Sequence, residues 1–295
     1  AMSPRAAGVA LLLFTSFGWG STWPVLKLVF AEIPPFSARA LTAYLACLLL
    51  LAAARLRGEA LWPPRAVWPR LPLAAFLNVT CWMAPTTLAL LYLTAAEIAI
   101  VAAIMPVWAT LLGALLLREA LTPARLLALL LGLGGVLALF AGEARAPGAG
   151  QLPGVLLMLC ATFLFALGAV LMKRAPLALP PVAAIFWQMS LGCLPLPLAA
   201  LALEAPAWQE VTRTGWLAVL WMVMVPISSC YLAWFAALRR LPASAAALGT
   251  LLSPVIGVAA AALMLGEPVG GRELAALAMT GAAILIAARA GGGRA

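Results

Sequence analysis

Residues 95–119 read AAEIAIVAAIMPVWATLLGALLLRE, and residues 243–267 read ASAAALGTLLSPVIGVAAAALMLGE. Each is an apolar run long enough for a membrane-crossing helix, interrupted midway by one proline and closed by a glutamate. Pro106 pairs with Pro254, Leu117 with Leu265 and Glu119 with Glu267, all at an offset of 148. Matches of Ala and Leu carry little weight in so apolar a chain. A proline and an acid recurring at one spacing carry more, because proline removes a backbone donor and a charge in lipid is costly. Nearer the N-terminus the offset is 146, pairing Phe17 with Phe163 and Lys27 with Lys173. The chain therefore reads as two repeats, residues 1–147 and 148–295.

The composition agrees with that reading. Of 295 residues, 66% are hydrophobic and 9% charged, against roughly 45–50% and about 25% in ordinary soluble domains. Mean hydropathy is +1.11. No soluble core of this length buries such an excess, which excludes a soluble enzyme. The nine acids are all glutamate, with no aspartate and no histidine. His-based triads, Asp-dependent phosphoryl transfer and most zinc sites are thereby excluded, and neither a metal nor a cofactor is expected. ATP-driven transport would need a Gly-rich phosphate loop ending in Lys-Ser/Thr, which the sequence lacks.

The net charge of +9 does not point to nucleic acid, since the bases stand singly or in pairs between apolar stretches, as at a membrane surface. Cys47, Cys81, Cys160, Cys193 and Cys230 lie inside apolar runs without CxxC spacing and read as packing residues. Heavy Arg, Ala and Leu usage suggests a GC-rich bacterial genome, hence a bacterial inner membrane.

A bilayer core of about 30 Å takes roughly 20 helical residues. Cutting the apolar runs at Pro, Gly and charge clusters predicts spans at 7–30, 37–54, 71–92, 95–117, 123–141, 152–172, 181–203, 214–238, 243–265 and 271–288. The first is too long for a signal peptide and lacks a small-residue cleavage site. With the N-terminus inside, the inner face receives thirteen of the eighteen Lys and Arg, led by Arg55, Arg57, Arg65 and Arg70. Lys27, Arg39, Arg145, Arg213 and Arg272 remain outside. That is a positive-inside bias with both termini cytoplasmic. The expected fold class is an all-α integral membrane protein of ten transmembrane helices. Five spans per half force the second half to enter from the opposite side, so the repeats are inverted, an arrangement common in alternating-access transporters with a site near the midplane.

Gly18-Trp19-Gly20-Ser21 in the first span, and the passages Pro106 to Glu119 and Pro254 to Glu267, resemble the drug/metabolite transporter superfamily, in its ten-span EamA-type branch. The resemblance covers essentially the whole chain. Within that branch the chain is most similar to bacterial exporters of aromatic and other neutral amino acids.

Candidate site residues follow from polar and aromatic groups inside the spans. Trp19 and Ser21 sit where glycines and Pro24 interrupt the first helix, either to bind a ligand through freed backbone groups or to permit close packing. Asn78, Trp82 and Thr86 give the third span a polar face that must turn inward. Ser229, Tyr231 and Trp234 form the matching set in the eighth span, and Phe163, Trp187 and Gln188 supply the sixth and seventh. Pro24, Pro106 and Pro254 are expected as gating or structural breaks. Glu97 is expected either to partner Lys27 or Arg39 in an outer vestibule or to serve its own helix start. Trp62, Trp68, Trp208 and Trp216 read as interfacial belt residues.

Every Arg falls near a span end, which disfavours phosphate or dicarboxylate substrates. The expected function is a secondary transporter exporting small neutral or zwitterionic metabolites, foremost aromatic and hydrophobic amino acids, by alternating access. Without a deep carboxylate, facilitated diffusion is expected. The alternatives are a proton-coupled drug, nucleoside or metabolite exporter, or an integral-membrane lipid-modifying enzyme, which would need clustered acids or a reactive Ser with a base. A reporter active only in the cytoplasm, fused after Ala295, should be active. Activity of a periplasmic reporter there would mean an odd number of spans and a misdrawn inverted repeat.

Overall fold

The computed structural model describes residues 3–117, 122–140, 150–240 and 243–291. Arg118, Glu119, Arg145, Arg294 and the junction of the two repeats lie outside the described residues. Eight helices are long and apolar enough to cross a membrane: α1 (Ala6–Phe30), α2 (Pro35–Leu56), α3 (Leu71–Ala89), α4 (Ala95–Leu116), α5 (Pro123–Phe140), α6 (Leu152–Arg174), α7 (Pro181–Leu203) and α8 (Arg213–Ala237). Two more follow, α9 (Ala243–Leu265) and α10 (Gly271–Gly291). The described residues hold no strand. All these bounds fall within three residues of those expected from the apolar runs.

Sequence chemistry sets the ends. The helices α2 and α7 both start on a double proline, Pro34-Pro35 and Pro180-Pro181, where fixed φ favours a helical first turn and the missing N–H is no loss. Two helices end on a left-handed glycine, Gly58 (φ 67°) after α2 and Gly266 (φ 66°) after α9. In each case the next residue is a glutamate, and the reversal sends its carboxylate onto another helix. Glu59 accepts from the amides of Val182 and Ala183 at the start of α7 (3.0 Å each). Glu267 accepts from Ala95 (2.8 Å) and Ala96 (2.9 Å) at the start of α4.

Two other carboxylates do the same. Glu204, just past α7, accepts from the amides of Phe36 and Ser37 and from the Ser37 hydroxyl at 2.7–2.8 Å, at the start of α2. Glu32, just past α1, accepts from the Thr212 amide and hydroxyl, both at 2.7 Å, at the start of α8. Helix starts carry unsatisfied donors and a partial positive charge, so each cap contributes on the order of 1 kcal/mol.

Proline and small residues bend the helices in mid-span. A joint at Ser21 divides α1 into Pro4–Gly20 and Thr22–Phe30. Ahead of Pro106, α4 tightens to three-residue bonds, Ala103 to Ile100 and Ile104 to Val101; α7 is jointed at Cys193–Leu194 before Pro195. Both α3 and α8 widen into π-helical stretches, Phe76–Thr80 and Val223–Ser229.

Helix packing follows a regular scheme. α1 lies against α8 and α9, and α6 lies against α3 and α4; α2 pairs with α7, α4 with α9 and α5 with α10. Exchanging each helix for the one five places on maps this set of pairs onto itself. Close approach rests on small residues, as expected where lipid is as apolar as the helix surfaces. A Cβ added to Gly20 would stand 2.7 Å from the Ser253 carbonyl oxygen, and one on Gly257 would stand 2.7 Å from the Ala99 Cβ. The outward faces are apolar, with Leu137, Leu201 and Leu263 at 70%, 84% and 87% exposure. That surface belongs in hydrocarbon.

Replacing Gly266 by Ala adds no steric contact within 4 Å, so its cost is purely the left-handed backbone. Thermal unfolding in detergent should show a loss of about 1 kcal/mol or more for Gly266→Ala. Gly271→Ala, equally open but without positive φ, should change little.

Candidate functional site

The expected residues gather around the kinked middle of α1. Trp19 donates its indole N–H to the Pro226 carbonyl across to α8 (3.0 Å). Its ring meets Tyr231 (5.6 Å, 69°) and Trp234 (5.5 Å, 48°). The approach is possible because Gly18 lies directly against Cys230 and Val225, where a Cβ would collide. Pro226 sits in the π-helical stretch, its ring lacking a donor, and its own carbonyl is the acceptor for Trp19. The hydroxyls of Ser21 and Thr22 both donate to the Gly18 carbonyl (3.1 Å), filling the bond lost at the joint before Pro24. Ser229 is half-buried at the end of the same π stretch.

One turn along α1 from Trp19, Trp23 begins a second aromatic group. It meets Trp82 of α3 (6.0 Å), and Trp82 meets Phe165 of α6 (5.4 Å). Phe163 packs edge-on against Trp108 of α4 (5.6 Å, 86°). Asn78, in the π stretch of α3, donates to the Gln188 side-chain oxygen on α7 (2.8 Å), and Gly168 of α6 leaves space for the Asn78 amide. Thr86 is fully buried and accepts from Arg39 of α2 (3.1 Å). Among the described residues, the buried polar atoms without a hydrogen-bond partner include Asn78 Oδ1, Trp108 Nε1 and Trp221 Nε1. Each such orphan costs roughly 1–3 kcal/mol, so a polar ligand that reached one would gain by it.

Some expected residues stand elsewhere. Trp187 donates to the Leu61 carbonyl (2.6 Å) and meets Trp62 (5.7 Å) and Trp68 (5.3 Å), so it faces the 57–70 segment rather than Trp82. Trp208 and Trp216, read as belt residues, stack on each other (6.3 Å, 25°). Glu97 forms a reciprocal capping box with Thr94. Lys27 lies 3.7 Å from Glu267, and Arg39 reaches Thr86 and Thr87. Pro254 is buried within α9, and Pro106 is in the first turn after the joint of α4. A cavity of about 340 Å³ opens between α2 and α7, lined by Leu41, Tyr44, Leu48, Phe186 and Ser190 among others; it includes none of the expected site residues.

Trp23 and Trp108 were not among the expected site residues, and Arg39, expected as one choice of partner for Glu97, stands on Thr86 and Thr87 instead. A sequence signal existed for the two tryptophans, since Trp23 is four residues from Trp19 and Trp108 two from Pro106.

The EamA-like transporter family model matches residues 6–141 and again 152–289. "Uncharacterized transporter YvbV" of Bacillus subtilis is 28% identical over 265 residues, 90% of this chain and 86% of that protein. A Salmonella typhimurium protein named "Probable amino-acid metabolite efflux pump" is 30% identical over 186 residues, 59% of this chain and 61% of its own length. A solved crystal structure superposes with a TM-score of 0.67 at 25% identity, covering 94% of this chain and 95% of that one.

Cysteines placed singly at Trp19, Asn78, Trp82, Tyr231 and Trp234 should react with a small membrane-permeant thiol reagent, in a background lacking the native cysteines. Saturating neutral aromatic amino acid should slow that reaction. Inertness at all five positions would show that they line no ligand-accessible space.

Proposed function

The chain belongs to the EamA-like transporter family, and on that premise we propose that it exports small neutral or zwitterionic metabolites, foremost aromatic and hydrophobic amino acids. It works by alternating access across the bacterial inner membrane. The reading has ten spans in two inverted five-helix repeats, 1–147 and 148–295, with both termini cytoplasmic. The self-mapping of helix pairs and the twofold family match support that repeat. The matched Salmonella protein is named for amino-acid metabolite efflux, which supports the substrate class.

One observation carries the proposal. Two aromatic groups, Trp19–Tyr231–Trp234 and Trp23–Trp82–Phe165, meet on α1 beside π-distorted helices that bear amides and hydroxyls. Rings suit an apolar side chain, and the hydroxyls and orphan polar atoms suit amino and carboxyl groups. Single π turns recur at functional sites because the widened turn frees backbone groups. For alternation, the joints in α1, α4 and α7 let half-helices tilt without tearing a continuous hydrogen-bond ladder.

The same geometry argues for facilitated diffusion. A coupling proton needs a carboxylate that changes exposure at depth. Of the seven glutamates described, Glu32, Glu59, Glu97, Glu204, Glu267 and Glu273 all accept from backbone amides at helix starts. Their positions are terminal and their lone pairs are engaged. High cytoplasmic substrate then drives net export.

In proteoliposomes, labelled phenylalanine should show counterflow, and an imposed pH gradient without membrane potential should give no uphill accumulation. Accumulation abolished by Glu97→Gln would make Glu97 the coupling residue and overturn the uncoupled reading. Accumulation surviving that change would overturn it in favour of another coupling ion.

A further inference from the structure

Arg39 lies in the second turn of α2 and is only 3% exposed, within Ser37-Ala38-Arg39-Ala40, four residues that are all buried. Its Nε–H donates to Thr87 Oγ1 and its Nη2 to Thr86 Oγ1, both at 3.1 Å. Those hydroxyls give their own protons to the carbonyls of Trp82 and Met83 (2.7 Å each), which fixes their lone pairs toward the guanidinium. Both acceptors are neutral. No carboxylate among the described residues lies within ion-pair distance of Arg39, and the remaining guanidinium N–H groups have no acceptor among those residues. Glu32, Glu97, Glu204 and Glu267, at the same end of the bundle, are all turned onto helix starts.

A buried cation without a counter-charge is expensive, and chains retain one where something else supplies the charge. The last turn of α3 offers about half a negative unit through its terminal carbonyls. Nothing among the described residues supplies the rest. A guanidinium presents a planar fork that matches a carboxylate in two parallel bonds. Thr86 stands four residues beyond Trp82, a rise of about 6 Å along α3. A carboxylate held on Arg39 beside Thr86 would therefore lie roughly one helical turn along α3 from Trp82, which belongs to the Trp23–Trp82–Phe165 group, a spacing on the scale of an aromatic amino acid.

Resting on the transporter reading above, we infer that Arg39 binds the substrate carboxylate, held in place by Thr86 and Thr87, while the apolar side chain lies against Trp82. The substrate class narrows to compounds bearing a carboxylate beside an aromatic or bulky apolar group. Amines and uncharged drugs of the same shape are excluded by the unpaired cation they would leave.

The test compares labelled L-phenylalanine with L-phenylalaninamide, identical except for the lost carboxylate, in proteoliposomes of wild type, Arg39→Gln and Arg39→Lys. Wild type should exchange phenylalanine and discriminate against the amide. Arg39→Gln should raise the phenylalanine KM about tenfold or more, as expected for losing a charge-assisted pair, while leaving the amide rate unchanged or higher. Arg39→Lys should fall between, keeping the preference with a weaker KM. If wild type carries neither compound, the transporter reading itself fails. If wild type carries phenylalanine but Arg39→Gln changes both compounds alike, or neither, Arg39 is a structural clip and the inference is overturned. Should Arg39→Gln not fold, Arg39→Lys decides: equal loss toward both compounds overturns the inference, and a selective loss toward phenylalanine upholds it.

Discussion

A helix start leaves amide donors that the helix's own turns cannot serve. This chain meets that constraint with glutamates borrowed from elsewhere. The partnership of α2 and α7 is reciprocal: Glu59, past the end of α2, caps α7, and Glu204, past the end of α7, caps α2. Glu32 joins α1 to α8, and Glu267 joins α9 to α4. Each of these four caps links a helix of the first half to one of the second. The carboxylates are thus the polar stitching between halves that otherwise meet through apolar and small residues. Their placement relies on short, sharp exits such as Gly58 and Gly266, where only a residue tolerant of positive φ lets the following acid swing across.

The prolines create the complementary need within the helices. Pro24, Pro85 and Pro226 each delete a donor in mid-span, and the freed carbonyls must be met inside the protein. Local hydroxyls bond to carbonyls close to each interruption: Ser21 and Thr22 at Gly18, Thr86 at Trp82, Ser228 at Val223. An indole from another helix reaches one more carbonyl there, Trp19 at Pro226. The interruptions consequently gather polar side chains at the membrane interior without stranding them, and aromatic rings crowd the same level. Groups able to bind a small amphipathic ligand are a by-product of repairing broken helices.

Much of this was legible from the chain. Apolar runs bounded by Pro, Gly and charge located the helices, since their length is set by the bilayer and their ends by backbone chemistry. The grouping of Trp19 with Tyr231 and Trp234 was legible because equivalent spans repeat the same polar and aromatic pattern. Trp187 turns to the 57–70 segment, which folds back against α7, and no periodicity reports where an irregular segment runs. The capping role of the glutamates has no sequence signature, because a cap in trans has no fixed sequence spacing. Arg39 read as an interfacial cation, the usual fate of a charge one turn into a span. It is instead covered because Glu204 anchors the start of α2 against α7 and Thr86 and Thr87 of α3 close over the side chain.

Those two facts about charge fit together. With six described carboxylates bound to helix starts, the negative charge of the bundle is spent on architecture at its two ends. Positive charge is then left without a described counter-charge at Arg39, inside. On the proposed reading, a carrier built this way offers affinity for a carboxylate while none of the described acids stands beside Arg39 to take up a proton. A zwitterion supplies the missing charge while adding no net charge of its own, which keeps the loaded carrier's electrostatic burden no larger than the empty one's. Ligand binding can shift an equilibrium between two states only by its differential affinity for them. If the counter-charge comes with the substrate, as proposed for Arg39, that differential would be greatest in the arrangement where Arg39 is best desolvated.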